Sequence, residues 1–468
     1  MSEKSPGIQG EQAEGGAAIT GTTILIAGIA LFGSLLVGYS TGIMAGALEF
    51  IAAEYGASTM AKSVLVTAVL VGGFLSGLLS GMLAERFGQR PVIWGTALIY
   101  ILASAACYFA TGIATLTLYR FLLGFAVGAS TMVLPQYVAE TSPARWRGGL
   151  VSITPLAITA GFLLSYLTNY AFTSTGNWRA MLASSAMPAA IMMLCLFRAP
   201  ESPSWLLCKG RKDEAMVAYE RIHGNKWPAQ ELEEVRCSVE ESATWGEIFS
   251  KPVRSVLIVG AGLFLLQNLS GIDAILYYAP EIFKSAGFAS VEGRILSTVG
   301  LGAVNFLSTV AAAFFMDRWG RRPLILWSLA IMTIGMGFFT LAHLSSHVSP
   351  MLQKAQVAAL SAFVGSFAFG MGAVPYILSS EIFPARVRSR SIGVCSAAAW
   401  GINILVILGF LPLMEMFSPE AVFGFFTLVN LFAFFFSLLM VPETRGRSLE
   451  AIERNLAAGV RVRDLGRE

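Results

Sequence analysis

The feature that most constrains this chain is a series of twelve apolar runs, each long enough to cross a bilayer. A spanning helix needs about 20 mainly apolar residues, because only an α-helix satisfies its own backbone hydrogen bonds inside lipid. Only 13% of the 468 residues are charged, against roughly a quarter in soluble domains. We therefore predict an all-α membrane protein. The predicted spans are residues 22–48, 63–84, 91–110, 114–138, 149–171, 179–198, 254–279, 295–316, 323–344, 355–379, 391–414 and 420–441.

The predicted spans form two sets of six, separated by a charged stretch with fair helical periodicity. This pattern predicts two six-helix bundles joined by a cytoplasmic linker of short amphipathic helices, which includes the acidic run Glu231, Glu233 and Glu234. The predicted regions are a disordered N-terminal tail (1–21), the N-terminal bundle (22–199), the linker (200–253), the C-terminal bundle (254–441) and the C-terminal tail (442–468).

Basic residues concentrate in the loops on one side of the predicted bundle, including Arg86, Arg145 and Arg318. Because loops rich in Lys and Arg stay in the cytoplasm, both termini are expected to be cytoplasmic. Short tails and compact loops favour a bacterial inner membrane, and a eukaryotic plasma membrane stays open as the alternative.

Three charged motifs occur twice, in the same order, once in each half. The segment Glu85–Pro91 resembles Asp317–Pro323, the segment Glu140–Arg147 resembles Glu381–Arg388, and Pro200-Glu201 resembles Pro442-Glu443. This repeat indicates that a six-span unit was duplicated in parallel. Parallel halves facing each other across a midplane cavity suit transport by alternating access.

The charges of these motifs have two interpretations. In the simpler one they only set topology. In the other they form salt bridges between the halves that close the cytoplasmic side and break when it opens. Exposed pairs contribute ~0–1 kcal/mol each, so several pairs favour one conformer while leaving the other populated. The predicted gate comprises Glu85, Arg86, Arg90, Glu140, Arg147, Glu201, Asp317, Arg321, Arg322, Glu381, Arg388 and Glu443.

The motifs resemble those of the major facilitator superfamily, and specifically of its sugar porter family. Further runs that carry the resemblance are Gly38-Tyr39-Ser40, Pro200-Glu-Ser-Pro-Ser-Trp205, Gln267 to Pro280, and Val441-Pro-Glu-Thr-Arg-Gly446. Together they extend from about residue 30 to residue 455. The resemblance implies a twelve-helix sugar carrier that works as a monomer.

Polar residues inside spans are costly in lipid and are therefore functional candidates, with interhelical packing as the ordinary alternative. Amide groups match sugar hydroxyls because they both donate and accept, and aromatic faces cover the C–H surface of a sugar ring. A helix break at Ser270 and Gly271, and another near Pro375, would turn these groups toward one cavity. The candidates are Gln267, Asn268, Asp273, Asn305, Tyr376, Trp400 and Asn403.

The resemblance places the family's sugar contacts at these positions, and Gln267 and Asn305 match the family pattern. The other positions depart from it: Asn268 replaces Gln, Asp273 replaces Asn, and Tyr376 replaces Trp. The span 5 Gln corresponds to Pro155, the Asn before Trp400 to Ala399, and a Pro to Ala373. Ordinary hexose recognition is therefore in question.

Tyr277 and Tyr278 are expected near the outer mouth, either as an extracellular gate or as interfacial belt residues.

The coupling ion is left open by the sequence. Proton-driven relatives have an Asp where this chain has Ser40, and Arg120 matches the arginine that pairs with that Asp. Arg120 hardly deprotonates and so needs another partner. One alternative is facilitated diffusion; the other is proton symport, in which Asp273 takes the proton. In a further interpretation Asp273 is a fixed anion that accepts hydrogen bonds from solute hydroxyls or favours a cationic solute.

The sequence also bears on functions other than sugar or polyol transport. No nucleophile motif, phosphate loop or metal-ligand spacing points to an enzyme, a metal site or a cofactor, and a net charge of +3 does not suggest nucleic acid. The rivals are a carrier of organic or aromatic acids and a non-transporting sugar sensor. The negative charge of Asp273 disfavours an anionic solute, whereas Arg120, which lacks the family's aspartate partner, favours one.

Overall fold

The computed structural model describes residues 21–227, 245–345 and 349–466. This part of the chain contains twelve helical stretches that are long and apolar enough to cross a membrane, which confirms the predicted all-α membrane protein. The N-terminal tail up to residue 20 and the acidic run at Glu231, Glu233 and Glu234 lie outside the described residues.

Most spans are continuous helices. They are span 1 (Gly21–Tyr55), span 2 (Thr59–Phe87), span 3 (Gln89–Tyr108), span 4 (Ile113–Thr141), span 5 (Ala144–Phe172), span 8 (Val291–Trp319), span 9 (Arg321–His343), span 11 (Ala385–Met416) and span 12 (Pro419–Met440). Span 6 is divided into Trp178–Ala183 and Ala186–Leu196, and span 7 into Lys251–Leu269 and Ile272–Ser285. Span 10 consists of Pro350–Ser366, a π-helical turn Phe367–Met371, and Val374–Ile382.

Many of these helices extend beyond the predicted apolar runs. Span 1, predicted to end at residue 48, continues through Glu49 and Glu54 to Tyr55. Hydropathy marks only the part of a helix that lies in lipid, whereas backbone hydrogen bonding continues into water. The extra turns matter because they carry charged side chains beyond the apolar core.

The breaks in spans 7 and 10 have local causes. Gly271 has φ +88°, a left-handed conformation that glycine adopts without strain, and a new helix begins at Ile272. In span 10, Pro375 lies in the first turn of a new helix, where its missing N–H costs no hydrogen bond. The predicted breaks at Ser270–Gly271 and before Tyr376 are therefore present.

Small residues bring the helices of the N-terminal half into close contact. A methyl group on Gly38 of span 1 would lie 1.9 Å from the Ile158 carbonyl oxygen of span 5. A methyl group on Gly128 of span 4 would lie 2.0 Å from the Gly73 carbonyl oxygen of span 2. Such backbone contact provides the van der Waals packing that holds helices together in lipid, where no hydrophobic drive acts between them.

Among the described residues, the most extensive contacts between the two halves join span 1 with span 7, span 2 with span 11, and span 5 with span 8. Trp400 of span 11 packs on Gly73 of span 2, and the Tyr166 hydroxyl of span 5 donates to the Leu276 carbonyl of span 7 at 2.8 Å. These contacts place spans 7 and 11 against the opposite half, so their polar residues lie near the centre of the molecule.

Shorter helices lie outside the spans. Within the described part of the linker they are Pro203–Cys208, Lys212–His223 and Trp245–Ile248. A C-terminal helix, Leu449–Ala457, and a 3-10 turn, Val462–Asp464, follow span 12. All these elements lie at the end of the bundle that carries the repeated charge motifs, which we call the motif end; the opposite end is the distal end.

Candidate functional site

The break in span 7 creates a polar cluster between spans 7 and 11. Asn403 donates through Nδ2 to Asn268 Oδ1 at 2.7 Å and to the Asp273 carboxylate. Asn268 and Asp273 come from the two segments of span 7, so Gly271 is what lets both face Asn403. Asp273 also lies in the first turn of its segment, where the helix dipole favours a negative charge.

The cluster retains unused acceptor capacity. Asn403 Oδ1 is buried and accepts no hydrogen bond from the described residues. No Lys, Arg or His in the described part of the chain forms an ion pair with Asp273. A ligand that donates several hydrogen bonds, as a polyhydroxylated molecule does, would satisfy these oxygens.

Gln267 connects the cluster to the broken span 10. Its Nε2 donates to the carbonyls of Met371 and Gly372, at 2.9 and 3.1 Å. These carbonyls are free to accept hydrogen bonds from Gln267 because the π-turn and Pro375 interrupt the regular backbone hydrogen bonding of the helix. Gln267 therefore fixes the geometry of span 10 directly before Tyr376.

Tyr376 supplies an aromatic surface beside these groups. Its ring packs edge-on against Phe264 of span 7, with 4.7 Å between ring centroids, yet the residue remains 54% exposed. More than half of the Tyr376 surface is therefore left uncovered by protein.

The remaining predicted contacts are more separate. Trp400 lies one helical turn before Asn403 and is used in packing against span 2. Asn305 of span 8 is buried, and its carbonyl accepts from Thr309 at 2.9 Å. The structure thus brings together Gln267, Asn268, Asp273, Tyr376 and Asn403, and it places Trp400 beside them without a direct hydrogen bond.

Arg120 is buried in the N-terminal half with few partners. It is 1% exposed, and its Nη1 donates to the Ser40 carbonyl at 3.0 Å. Its Nε and Nη2 have no hydrogen-bond partner among the described residues. The Ser40 carbonyl therefore supplies one acceptor for this buried cation.

Tyr277 and Tyr278 lie deep in the bundle. They are 3% and 0% exposed; the Tyr277 hydroxyl donates to Thr41 of span 1 at 3.4 Å, and the Tyr278 hydroxyl donates to the Ile407 carbonyl at 3.1 Å. The alternative that they are interfacial belt residues is wrong, because both rings are enclosed by protein. Tyr277 joins the two halves one turn beyond Asp273, on the distal side.

Among the described residues, two ion pairs that were not predicted from the sequence join the halves at the distal end. Arg294 of span 8 pairs with Glu49 of span 1, and Lys62 of span 2 pairs with Glu281 of span 7 at 3.2 Å. We call these the distal ion pairs. Arg294 also donates to the Phe288 carbonyl at 3.1 Å, so its buried guanidinium is well held. The sequence feature that could have indicated these pairs is the position of Glu49 and Glu281, which are acidic residues at the ends of long apolar helices.

At the motif end, the two halves build the same carboxylate cap. Glu201 accepts from the backbone N–H groups of Gln89 and Arg90 at the start of span 3, both at 3.1 Å. Glu443 does the same for the first two residues of span 9, both at 3.1 Å. A carboxylate there satisfies free N–H groups and complements the helix dipole. The duplicated motifs therefore have an equivalent structural role.

The halves differ at one position of this arrangement. Glu381 accepts from Arg321 at 3.0 Å and from Thr444. Its counterpart Glu140 accepts from Ser202 and from Gln136, and the residue equivalent to Arg321 is the neutral Gln89.

The predicted salt bridges between the halves require a closed motif end and stay a prediction. Here Glu201, Glu381 and Glu443 bond within their own halves. The side chains of Arg147 and Asp317 lie outside the described residues, and Glu85 and Arg86 are exposed. Arg90 and Arg322 donate to carbonyls at the ends of spans 6 and 12, and Arg388 donates to the Phe383 carbonyl at 3.1 Å.

Replacing Gly320 with alanine is expected to lower thermal stability, because Gly320 has φ +87° and an added methyl group would lie 2.7 Å from Glu443 Oε2. The left-handed conformation and the disturbed cap together cost about 2 kcal/mol. The measurement is the melting temperature of the purified protein. The control is Gly300→Ala, a helical position with no neighbour within 4 Å, where alanine should be neutral or stabilising. Equal melting temperatures for both variants would contradict the role of the cap.

The fold and the site define a membrane carrier built from two facing six-span halves. A family model described as "Sugar (and other) transporter" matches residues 26–456. A galactose-proton symporter of Escherichia coli (strain K12) is 33% identical over 448 residues, which cover 95% of this chain and 96% of the symporter. A D-xylose transporter of Levilactobacillus brevis is 34% identical over 438 residues, covering 91% and 94%. The chain belongs to the sugar porter family of the major facilitator superfamily.

Solved structures agree with this assignment. The inward open conformation of the xylose transporter XylE from E. coli matches with a TM-score of 0.79 at 27% identity, covering 92% of this chain and 99% of XylE. The proton:xylose symporter XylE bound to 6-bromo-6-deoxy-D-glucose matches with a TM-score of 0.74 at 29% identity, covering 93% and 98%.

Proposed function

We propose that this chain transports a sugar or a sugar-like polyol by alternating access, and that it does so with a proton. The observation that carries the proposal is the cluster of Asp273, Asn268 and Asn403 at the break of span 7. A carboxylate and two amides offer the mixture of donors and acceptors that hydroxyl groups require. Relatives named as galactose-proton and arabinose-proton symporters support the same solute class and the same ion.

In this proposal the solute lies between the cluster and Tyr376. Its hydroxyls donate to Asp273 and to the free Oδ1 of Asn403, while the half-exposed ring of Tyr376 covers its apolar face. Gln267, Asn305 and Trp400 shape the site. Because Asn268, Asp273 and Tyr376 depart from the family pattern, the preferred solute is expected to differ from that of ordinary hexose carriers.

The conformer described here is proposed to be open to the cytoplasm. The distal ion pairs, together with the Tyr277–Thr41 hydrogen bond, hold the halves together at the distal end. The match to the inward open form of XylE, at a TM-score of 0.79, supports the same assignment. In the other conformer these contacts would break, and the carboxylates of the motif end would pair with arginines of the opposite half.

Proton coupling is assigned to Asp273. Ser40 cannot carry a proton at the family's usual position. Two contacts connect that part of span 1 with the region of Asp273: Arg120 donates to the Ser40 carbonyl, and Tyr277, one turn after Asp273, donates to Thr41. A carboxylate in a partly desolvated site that also binds the solute couples protonation to binding.

A carrier for an organic or aromatic acid is the second candidate. The two unpartnered nitrogens of Arg120 favour it, because a carboxylate would satisfy both in a bidentate contact. Against it, Arg120 is only 1% exposed, so a solute could not reach its guanidinium in this conformer.

Uptake into proteoliposomes tests the proposal directly. Galactose, xylose, arabinose, glucose and inositol would be offered with and without an imposed proton gradient, and an aromatic acid would serve as the competing class. Sugar or polyol accumulation that depends on the gradient is the expected result. Uptake of the acid alone would overturn the proposal, and binding without any uptake would indicate a sensor.

The protein is a multi-pass membrane protein, and we propose that its motif end and both termini face the cytoplasm of a bacterial inner membrane, where it works as a monomer. The arginine-rich loops support this orientation. Cys208 is exposed in the linker, so a membrane-impermeant maleimide should label it in inverted vesicles and not in intact cells. Labelling in intact cells would reverse the orientation.

A further inference from the structure

The C-terminal segment after the last helix folds back onto the end of span 12. Leu465 is 1% exposed, and its carbonyl accepts from Asn455 at 2.9 Å. Val462 is buried as well, whereas the side chains of Arg461 and Arg463 on either side of it are exposed. The alternation anchors the segment by its apolar residues and leaves two arginines facing outward.

These two arginines line a cavity of about 580 Å³ at the edge of the bundle. The other side of the cavity is the end of span 12, where Leu439 is 60% exposed. An exposed leucine at a span end faces lipid, so the cavity lies where the acyl region meets the headgroups. Its lining also contains Asp464, which leaves a net positive charge.

We propose that this cavity binds the headgroup of an anionic phospholipid. The phosphate would lie between Arg461 and Arg463, and an acyl chain would follow the exposed face at Leu439. Arginine pairs with phosphate through parallel hydrogen bonds, and basic pockets beside spans attract anionic lipids of the cytoplasmic leaflet. The assignment rests on the proposed orientation, because it requires the motif end to face that leaflet.

The bound lipid would act on the carboxylate cap of span 9. Gly466 follows the anchored Leu465, and a methyl group on Gly466 would lie 1.7 Å from the Glu443 carbonyl oxygen. The segment therefore packs directly against the residue that caps span 9. A lipid that holds the segment in place should stabilise the cap as well.

Native mass spectrometry of the full-length protein tests the site with dioleoylphosphatidylglycerol, dioleoylphosphatidylcholine and inorganic phosphate as probes. One phosphatidylglycerol is expected to be retained in preference to phosphatidylcholine and to raise the melting temperature. The variant Arg461→Gln/Arg463→Gln should weaken phosphatidylglycerol binding about tenfold to thirtyfold. Lys212→Gln/Arg221→Gln removes the same charge from an exposed helix outside the cavity and should leave binding unchanged.

Equal retention of phosphatidylglycerol by both double variants would overturn the proposal. So would displacement by inorganic phosphate at equal concentration, since that would indicate a site for a free anion. Sugar uptake provides a separate readout. A variant that loses the lipid but still transports sugar would leave the proposed function unaffected. Failure of the wild-type protein to transport sugar would contradict the proposed function without changing the result for lipid binding.

Discussion

Replacing Glu49 with glutamine is expected to shift the conformational equilibrium about tenfold to a hundredfold toward the form that is open at the distal end. Arg294 is 4% exposed in the present conformer, and Glu49 is its carboxylate partner. A buried charge that loses its partner destabilises the conformer that buries it by a few kcal/mol. Opening of the distal end hydrates Arg294, so the cost falls on the closed form alone, and each 1.4 kcal/mol changes the population ratio tenfold.

Spin labels at positions 53 and 284, at the distal ends of spans 1 and 7, would report the change as a longer distance between the halves. The control is Glu54→Gln, which removes a carboxylate from the same end but breaks a pair with Arg179 inside one half. The charge-reversed variant Glu49→Arg/Arg294→Glu should restore the wild-type distances. Identical distance distributions for Glu49→Gln and Glu54→Gln would show that the distal ion pairs do not hold the halves together.

The helices themselves were predictable because their signal is local. Each apolar run identifies a span without reference to the rest of the chain, and Gly271 and Pro375 mark breaks through their own backbone preferences. The candidate site residues could also be predicted, because polar side chains are easily recognised inside an apolar run.

The contacts between these residues were not predictable, because they join positions far apart in the chain. The Asn403–Asp273 contact joins residues 130 apart, and the Arg294–Glu49 contact joins residues 245 apart. The residues around each position do not indicate which distant residue it contacts. For that reason the distal ion pairs were not predicted, and Tyr277 and Tyr278, which are enclosed by protein, were compatible with an interfacial belt.

The duplication was visible in the sequence, but its asymmetry needed the structure. Glu140 and Glu381 occupy equivalent positions, and yet among the described side chains Glu381 alone pairs with an arginine of its own half, because Gln89 replaces the residue equivalent to Arg321. In the predicted gate, Glu140 is therefore a candidate partner for an arginine of the other half.

Replacing Asp273 with asparagine is expected to abolish accumulation of sugar against its gradient while leaving exchange at equilibrium. Asparagine keeps the shape of the side chain and an acceptor oxygen, so the contacts with Asn403 and with solute hydroxyls survive in part. It removes the group that is proposed to bind the proton. Proton-driven uptake in proteoliposomes should therefore fall to the equilibrium level, whereas counterflow should stay within a few-fold of wild type.

Two further variants separate coupling from binding at this position. Asp273→Glu retains a protonatable carboxyl and should keep some accumulation, and Asp213→Asn removes an exposed carboxylate from the linker and should change nothing. Loss of both counterflow and accumulation in Asp273→Asn would make Asp273 a fixed anion that binds the solute. Full proton-driven accumulation in that variant would remove Asp273 from the coupling mechanism altogether, and the absence of a carboxylate at Ser40 would then favour facilitated diffusion or a different coupling group.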